Sequence, residues 1–249
     1  LWSRTQHTRL TVPVLPARPQ VDGRLDDDAW RQSAPLTSWT NTAGQGAPVL
    51  PTHGAIGVHG ERLYLSFRAE ETHLDSLVSQ YQAFWRNDCI ELWFDPDNRR
   101  TSFAHIIITA DGRVQSERTI QDHWGEAWRD ENWKPRIDAQ SGRQSGAWTL
   151  EMSVPLEDLG IDRDMISTGA VIGLDAARER KTSGGENSVW TRGGFRAAAD
   201  FGELDFSFGT LILADGTLRN HTSESTEAQI EIRVSQRRET PPGATWEQM

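Results

Sequence analysis

The sequence predicts an all-β fold, an antiparallel two-sheet β-sandwich of the jelly-roll kind. Three observations predict it. The apolar runs are short and mostly alternate with period two. Gly, Pro, Asn and Asp punctuate them at close intervals. Helical periodicity is confined to brief stretches.

Taken in order, Arg9–Leu15 opens the pattern, and Pro13 and Pro16 restrict it to a sheet edge, because proline cannot donate to a ladder. Asp26–Ser33 reads as a short helical turn, with Asp26 placed to cap it and Trp30 carried inward. Ala55–Val58 and Arg62–Ala69 flank His59-Gly60-Glu61, a hairpin signal. Cys89–Phe94 is a dense apolar strand stopped by Asp95-Pro96-Asp97-Asn98, whose side chains favour a turn. Phe103–Thr109 ends at Ala110-Asp111-Gly112, and Gln115–Asp138 is polar and reads as a long loop carrying Trp124, Trp128 and Trp133. In Trp148–Val154 the residues Trp148, Leu150, Met152 and Val154 share one face, and Pro155 is expected to end that strand at a sheet edge. Leu156–Leu159 makes a second helical turn, and Val171–Ala177 and Phe206–Leu213 complete the sandwich. Beyond it a polar stretch leads to one more alternating strand, Ala228–Val234, and a Pro/Gly-containing end from Thr240 that reads as linker. The expected organisation is a lead-in over 1–20, the sandwich over 21–213, and an extra strand with linker over 214–249.

The 249 residues suffice to bury a sizeable core. With 26 Lys plus Arg against 36 Asp plus Glu, the formal charge of −10 repels phosphate backbones and anionic lipid, arguing against nucleic-acid and membrane partners. No apolar run approaches the roughly 20 residues of a membrane helix. Starting at Leu1 rather than Met, the chain reads as a processed or excised piece, and an extracellular or periplasmic location is expected. Cys89 stands alone, which excludes an internal disulfide. The 11 Trp against 2 Tyr stand out, since an indole offers a flat, rigid, apolar face on which a pyranose stacks. Most of these Trp are expected to fill the core.

Four separated segments resemble the family 9 carbohydrate-binding modules. They are Val21-Asp22-Gly23-Arg24-Leu25-Asp26-Asp27-Asp28-Ala29-Trp30; Trp85-Arg86-Asn87-Asp88-Cys89-Ile90-Glu91-Leu92-Trp93-Phe94-Asp95-Pro96; Trp148 to Leu156 with Leu159-Gly160; and Gly173-Leu174-Asp175, Arg178, Val189-Trp190 and Phe201-Gly202-Glu203-Leu204. The resemblance implies a non-catalytic, exported domain that binds a polysaccharide or oligosaccharide as part of a larger glycan-active protein. It places a first sugar-stacking ring at Trp85, six residues before Glu91, and a second at Phe195, six residues before Phe201. Glu91, Arg192 and His105 would then hydrogen-bond hydroxyls, accepting and donating to adjacent positions. Phe195 stands where well-known sugar binders of the family carry Trp, and Trp85 could equally pack within its own loop. The loop carrying Trp124, Trp128 and Trp133 is a second place where a glycan could lie.

The resemblance also implies structural calcium, for which Asp95, Asp97 and Asn98 supply hard oxygen ligands in one turn. The sequence contains no nucleophile elbow, no phosphate-binding glycine loop and no zinc spacing among its 7 His. Two other readings remain. One is a spacer or interaction module without sugar affinity. The other, from haem-binding relatives of the same sandwich, would require Met152 or Met165 as an axial ligand.

Overall fold

The computed structural model describes residues 7–43, 46–121, 126–162, 165–166, 169–191 and 194–206. Arg192 and the expected strand Ala228–Val234 lie outside the described residues, as do Trp124 and all of Phe206–Leu213 except Phe206.

The strands are β1 (Arg9–Thr11), β2 (Ala34–Leu36), β3 (Thr40–Asn41), β4 (Thr52–His59), β5 (Arg62–Glu70), β6 (Cys89–Asp95), β7 (Phe103–Thr109), β8 (Val114–Gln121), β9 (Ala127–Asp130), β10 (Asp138–Gln144), β11 (Ala147–Pro155), β12 (Val171–Arg180), β13 (Glu186–Val189) and β14 (Gly202–Asp205). Among the described residues they form two sheets. The larger runs β1-β14-β12-β6-β7-β8-β9, with β13 on β12 and β3 on β13; the smaller runs β10-β11-β5-β4-β2. Every pairing is antiparallel except β1 with β14 and the bridge between Val14 and Val58. The fold is therefore the all-β sandwich that the alternating pattern predicts. Among the described residues no helix is long and apolar enough to cross a membrane.

β6, β7, β11 and nearly all of β12 are buried on both faces, which explains their near-continuous apolar runs. Directly opposed residues share a face, so Ile90, Arg178 and Ile108 point the same way. The Arg178 guanidinium reaches the carbonyls of Leu50, Pro51 and Glu70, which identifies that face as the one turned toward the smaller sheet. The opposite face of the larger sheet carries Glu91, Trp93, His105 and Ala177 and is covered by a separate cluster of Phe103, Val189, Phe201, Phe195 and Ala198. The candidate site lies on this outer face.

The opening motif is bolted to β11. Glu151, fully buried, accepts hydrogen bonds from the backbone N–H of Asp22 (3.0 Å) and Gly23 (2.8 Å) and from Trp30 Nε1 (2.7 Å). Gly23 has φ +83°, and a Cβ there would lie 2.8 Å from the Ser141 carbonyl, so the turn requires glycine.

Several local expectations change. The short helical turn is Asp28–Gln32, and its N-cap is Asp27 rather than Asp26; no side chain caps it, because Asp27 instead accepts from the N–H of Gln20. Pro155 does close β11, but β11 lies inside its sheet between β10 and β5; proline is tolerated there as the last residue. The stretch 115–138 is no continuous loop, since β8 and β9 form a hairpin at the end of the larger sheet. Its strands are mostly exposed or half-buried, so they lack the apolar alternation by which strands are recognised.

Candidate functional site

The motif Trp85-Arg86-Asn87-Asp88 builds a rigid turn immediately before β6. Asn87, fully buried, accepts from the N–H of Tyr81 (2.9 Å) and donates to the carbonyls of Tyr81, Ala83 and Phe84 (3.0–3.3 Å). Asp88, also buried, accepts from the N–H groups of Val78 and Lys181 and from Thr182 Oγ1 (2.6–2.9 Å), tying the turn to the end of β12. The Arg113 guanidinium lies over the Phe84 ring and that of Arg86 over Tyr81. Every neighbour of Trp85 is thus fastened, yet Trp85 itself is 55% exposed. A large apolar ring held in water on a fixed turn is a pre-ordered stacking surface.

Along β6, Glu91 and then Trp93 follow on the outer face. Trp93 stacks on the His105 ring (centroids 4.8 Å apart, planes within 10°) and meets Phe195 edge-on at 5.9 Å. His105 sits between two carboxylates: its Nε2 is 2.8 Å from Glu91 Oε2 and its Nδ1 is 3.1 Å from Glu117 Oε1. Glu117 also receives Arg196 at 3.0 Å and pairs with Arg129 at 3.3 Å. A carboxylate accepts only, so an imidazole flanked by two of them donates from both nitrogens and carries the charge. Burial opposes that charge, but the hydrogen bonds to Glu117 and Glu91 outweigh it and raise the His105 pKa above its ordinary value. The bond from His105 in turn lowers the Glu117 pKa, against burial and with help from Arg129 and Arg196. On the same face, Trp93 Nε1 and Asp175 Oδ2 are buried without a hydrogen-bond partner, and burial pushes Asp175 up to about 7.

The family model "Carbohydrate family 9 binding domain-like" matches residues 21–215. This chain belongs to that family. The family 9 domain is thereby placed among non-catalytic carbohydrate-binding modules. Solved structures share its fold. Two are of a family 9 carbohydrate-binding module from Caldicellulosiruptor kristjanssonii, one in complex with cellotriose and one with glucose. Each has TM-score 0.57 and 14% identity, and the match covers 80% of this chain and 93% or 95% of the other. A third, a candidate carbohydrate-binding protein from Bacteroides uniformis, has TM-score 0.55 and 12% identity, covering 80% of this chain and 99% of the other. A comparison with curated protein sequences found no match.

Of the residues singled out in the sequence of this family 9 domain, Glu91 and His105 are bonded to each other, and Phe195 reaches them through Trp93. Trp85 stands before the strand and Phe195 against its fifth residue, with Glu91 between; the ring contact of Phe195 is with Trp93. His105, expected to bond a hydroxyl, has both ring nitrogens engaged and holds Glu91 in place instead. Glu117 on β8 and Arg129 on β9 escape sequence reasoning because their strands lack apolar alternation, and Arg196 because it reaches Glu117 from a segment 79 residues on. Only the strand register places Glu117 opposite His105. Met152, one of the two candidate ligands of the haem reading, is fully buried in β11 and paired with Ala139 and Leu65.

The Asp95–Asn98 turn has the donor chemistry of a hard-cation site. Asp95 Oδ1 and Asn98 Oδ1 are both buried with no hydrogen-bond partner, and burial raises Asp95 to about 6. Gly173 leaves the space beside them: a Cβ there would come within 3.0 Å of Asp95 Cβ and 3.5 Å of Asn98 Oδ1. Asn98 and Arg100 both adopt left-handed conformations (φ 53° and 67°), and Arg100 is anchored by its N–H to Asp95 Oδ2 and by its guanidinium to the Phe201 carbonyl.

Proposed function

We propose that this domain holds a carbohydrate chain on the outer face of its larger sheet, with one sugar stacked on Trp85 and its hydroxyls bonded by Glu91. The observation that carries the reading is the exposed Trp85 ring on a turn locked by Asn87 and Asp88, at the start of the strand that carries Glu91. His105 orients Glu91 by occupying one carboxylate oxygen; among the described residues nothing donates to the other, which is left to accept from a sugar hydroxyl. Phe195 supplies the second apolar wall through its packing on Trp93, and the family resemblance offers Arg192 as a further donor. A hydroxyl of the wrong epimer would leave the buried Glu91 carboxylate oxygen unpaired, the physical basis of selectivity. The module would work outside the cytoplasm, in the extracellular space or periplasm, tethered to further domains of a glycan-active protein.

The two orphaned oxygens described above support calcium at the Asp95–Asn98 turn; Asp97, whose carboxylate is engaged by Arg99, would have to turn to join them. Calcium there would neutralise the buried Asp95 carboxylate and fix the turn whose Arg100 holds the segment covering Trp93.

Intrinsic tryptophan fluorescence, titrated with glucose, xylose, cellotriose and longer oligosaccharides, tests the assignment. A saturable change that Trp85→Ala diminishes, with unaltered melting temperature, is expected. A flat response across the panel from folded protein would overturn it and put the spacer reading first.

A further inference from the structure

A second large ring is held in water at the far end of the larger sheet. Trp128, on the terminal strand β9, is 51% exposed within the otherwise polar run Ala127–Asp130. It is directly opposite Ile120, so the two side chains share a face, and Arg118 and Asp130, paired one step along, share it too. That face continues through Ala104 and is the one opposite Glu117 and His105.

Ile120, Arg118 and Ala104 line a cleft of about 340 Å3, within the size range of small-ligand sites. Its wall is Trp133, which is 9% exposed and fixed at both ends: Nε1 donates to the Asp158 carbonyl (3.2 Å), and its own carbonyl accepts from Ser116 Oγ (3.1 Å). The Arg118 guanidinium lies 5.7 Å over the Trp133 ring and bonds Asp130 at 2.9 Å. On the rim, Glu157 and Asp158 are both bound by Arg136.

We propose that Trp128 and this cleft form a second carbohydrate subsite, separate from the one at Trp85. The chemistry selects a neutral, hydroxyl-bearing ligand with a flat apolar face. Among the described residues the cleft's cations, Arg118 and Arg136, are already paired with carboxylates, so a phosphate or uronate would find no free counter-charge on them and would meet Asp130, Glu157 and Asp158. A pyranose stacks on the exposed indole and exchanges hydrogen bonds with the guanidinium and carboxylate groups of the rim without bringing a charge into the cleft. Two separate subsites would let the domain engage two chains, or two stretches of one chain, and gain by avidity. The inference rests on the domain being a glycan binder but not on Trp85 being its contact.

The test is a titration of protein carrying 15N-labelled indoles with cellohexaose, xylohexaose and mannohexaose, with resonances assigned from Trp85→Ala and Trp128→Ala. The expected result is that the Trp128 indole N–H shifts saturably and does so equally in Trp85→Ala. Trp128→Phe should keep binding to the corresponding insoluble polysaccharide, and Trp128→Ala should weaken it roughly tenfold or more. If Trp128 responds and Trp85 does not, this subsite stands and the Trp85 assignment falls. If only the Trp85 indole moves, or none moves, the second subsite is overturned.

Discussion

Replacing His105 with Leu isolates the electrostatics of the outer face. Glu91 and Glu117 have side chains only 5% exposed, and His105 is the cation between them at 2.8 and 3.1 Å. Glu117 keeps Arg196 and Arg129 in the variant, so the damage concentrates on Glu91, whose only bonded partner among the described residues is His105. Stranding one member of a buried pair costs about 3–5 kcal/mol. At about 2–4 °C per kcal/mol for a domain of this size, the melting temperature should fall by about 10 °C at pH 6. The pH dependence has a definite sign. The folded His105 pKa is raised, so its stabilisation is complete below about 6.5 and is lost as pH rises through the folded value. The Glu117 pKa is lowered, so its stabilisation is present above about 4.5 and is lost as pH falls through its own folded value. The gap between wild type and variant should therefore be widest near pH 6 and narrow toward both pH 3.5 and pH 9. Thermal unfolding followed by far-ultraviolet circular dichroism at these three values measures it. A gap below about 1 °C throughout, or one widest at pH 9, would refute the charged-imidazole account.

Glu151→Ala deprives two backbone N–H groups and the Trp30 indole of their common acceptor. At about 1–3 kcal/mol for each buried donor, less for the partly buried ones, the loss should be about 3–5 kcal/mol, read as a lower urea midpoint at unchanged slope. Asn87→Ala releases the Tyr81–Phe84 backbone beneath Trp85, so sugar affinity should weaken about tenfold in a fluorescence titration as ordering of the turn is transferred to the binding step. Unchanged affinity would show that the turn needs no such anchoring. If the Asp95–Asn98 turn takes calcium, calcium at about 100 times its dissociation constant should add about 2.7 kcal/mol, visible as a melting temperature several degrees higher than in chelator. Asp95→Ala should abolish the difference, and identical curves with and without calcium would remove the metal from the account.

The strands buried on both faces were legible from sequence because burial leaves its record in residue type: Cys89–Phe94 and Trp148–Val154 can be read without coordinates. The opening motif was legible as a unit, but not its partner, since Glu151 lies more than a hundred residues away and only the fold brings them together. β8 and β9 were hidden because a terminal hairpin with water on its outer surfaces needs no apolar alternation. Missing β8 meant missing Glu117, and without Glu117 His105 looked like a free hydrogen-bonding group rather than the middle of a buried ionic chain. Asp26 looks like a cap on paper, but the N-cap is Asp27, whose carboxylate is taken by the Gln20 N–H, a contact that no pattern of spacing reveals.

The N-terminal segment joins both sheets within seven residues. β1 adds to β14 in parallel, with Arg9 bonded to Asp205; then Leu15 N–H and the Pro13 carbonyl pair with Val58 of β4. Leu15 lies fully buried against Gly57, where even a methyl group would sit 2.5 Å from it. The family match begins at residue 21, so a domain cut at that boundary would discard a seam rather than a tail. Such a fragment would bare a backbone edge on each sheet and leave an apolar slot open at Gly57, the combination that invites a neighbouring chain to supply the missing strand. The working limits of this domain are set by where its edges are closed, and that places its start at or before Arg9.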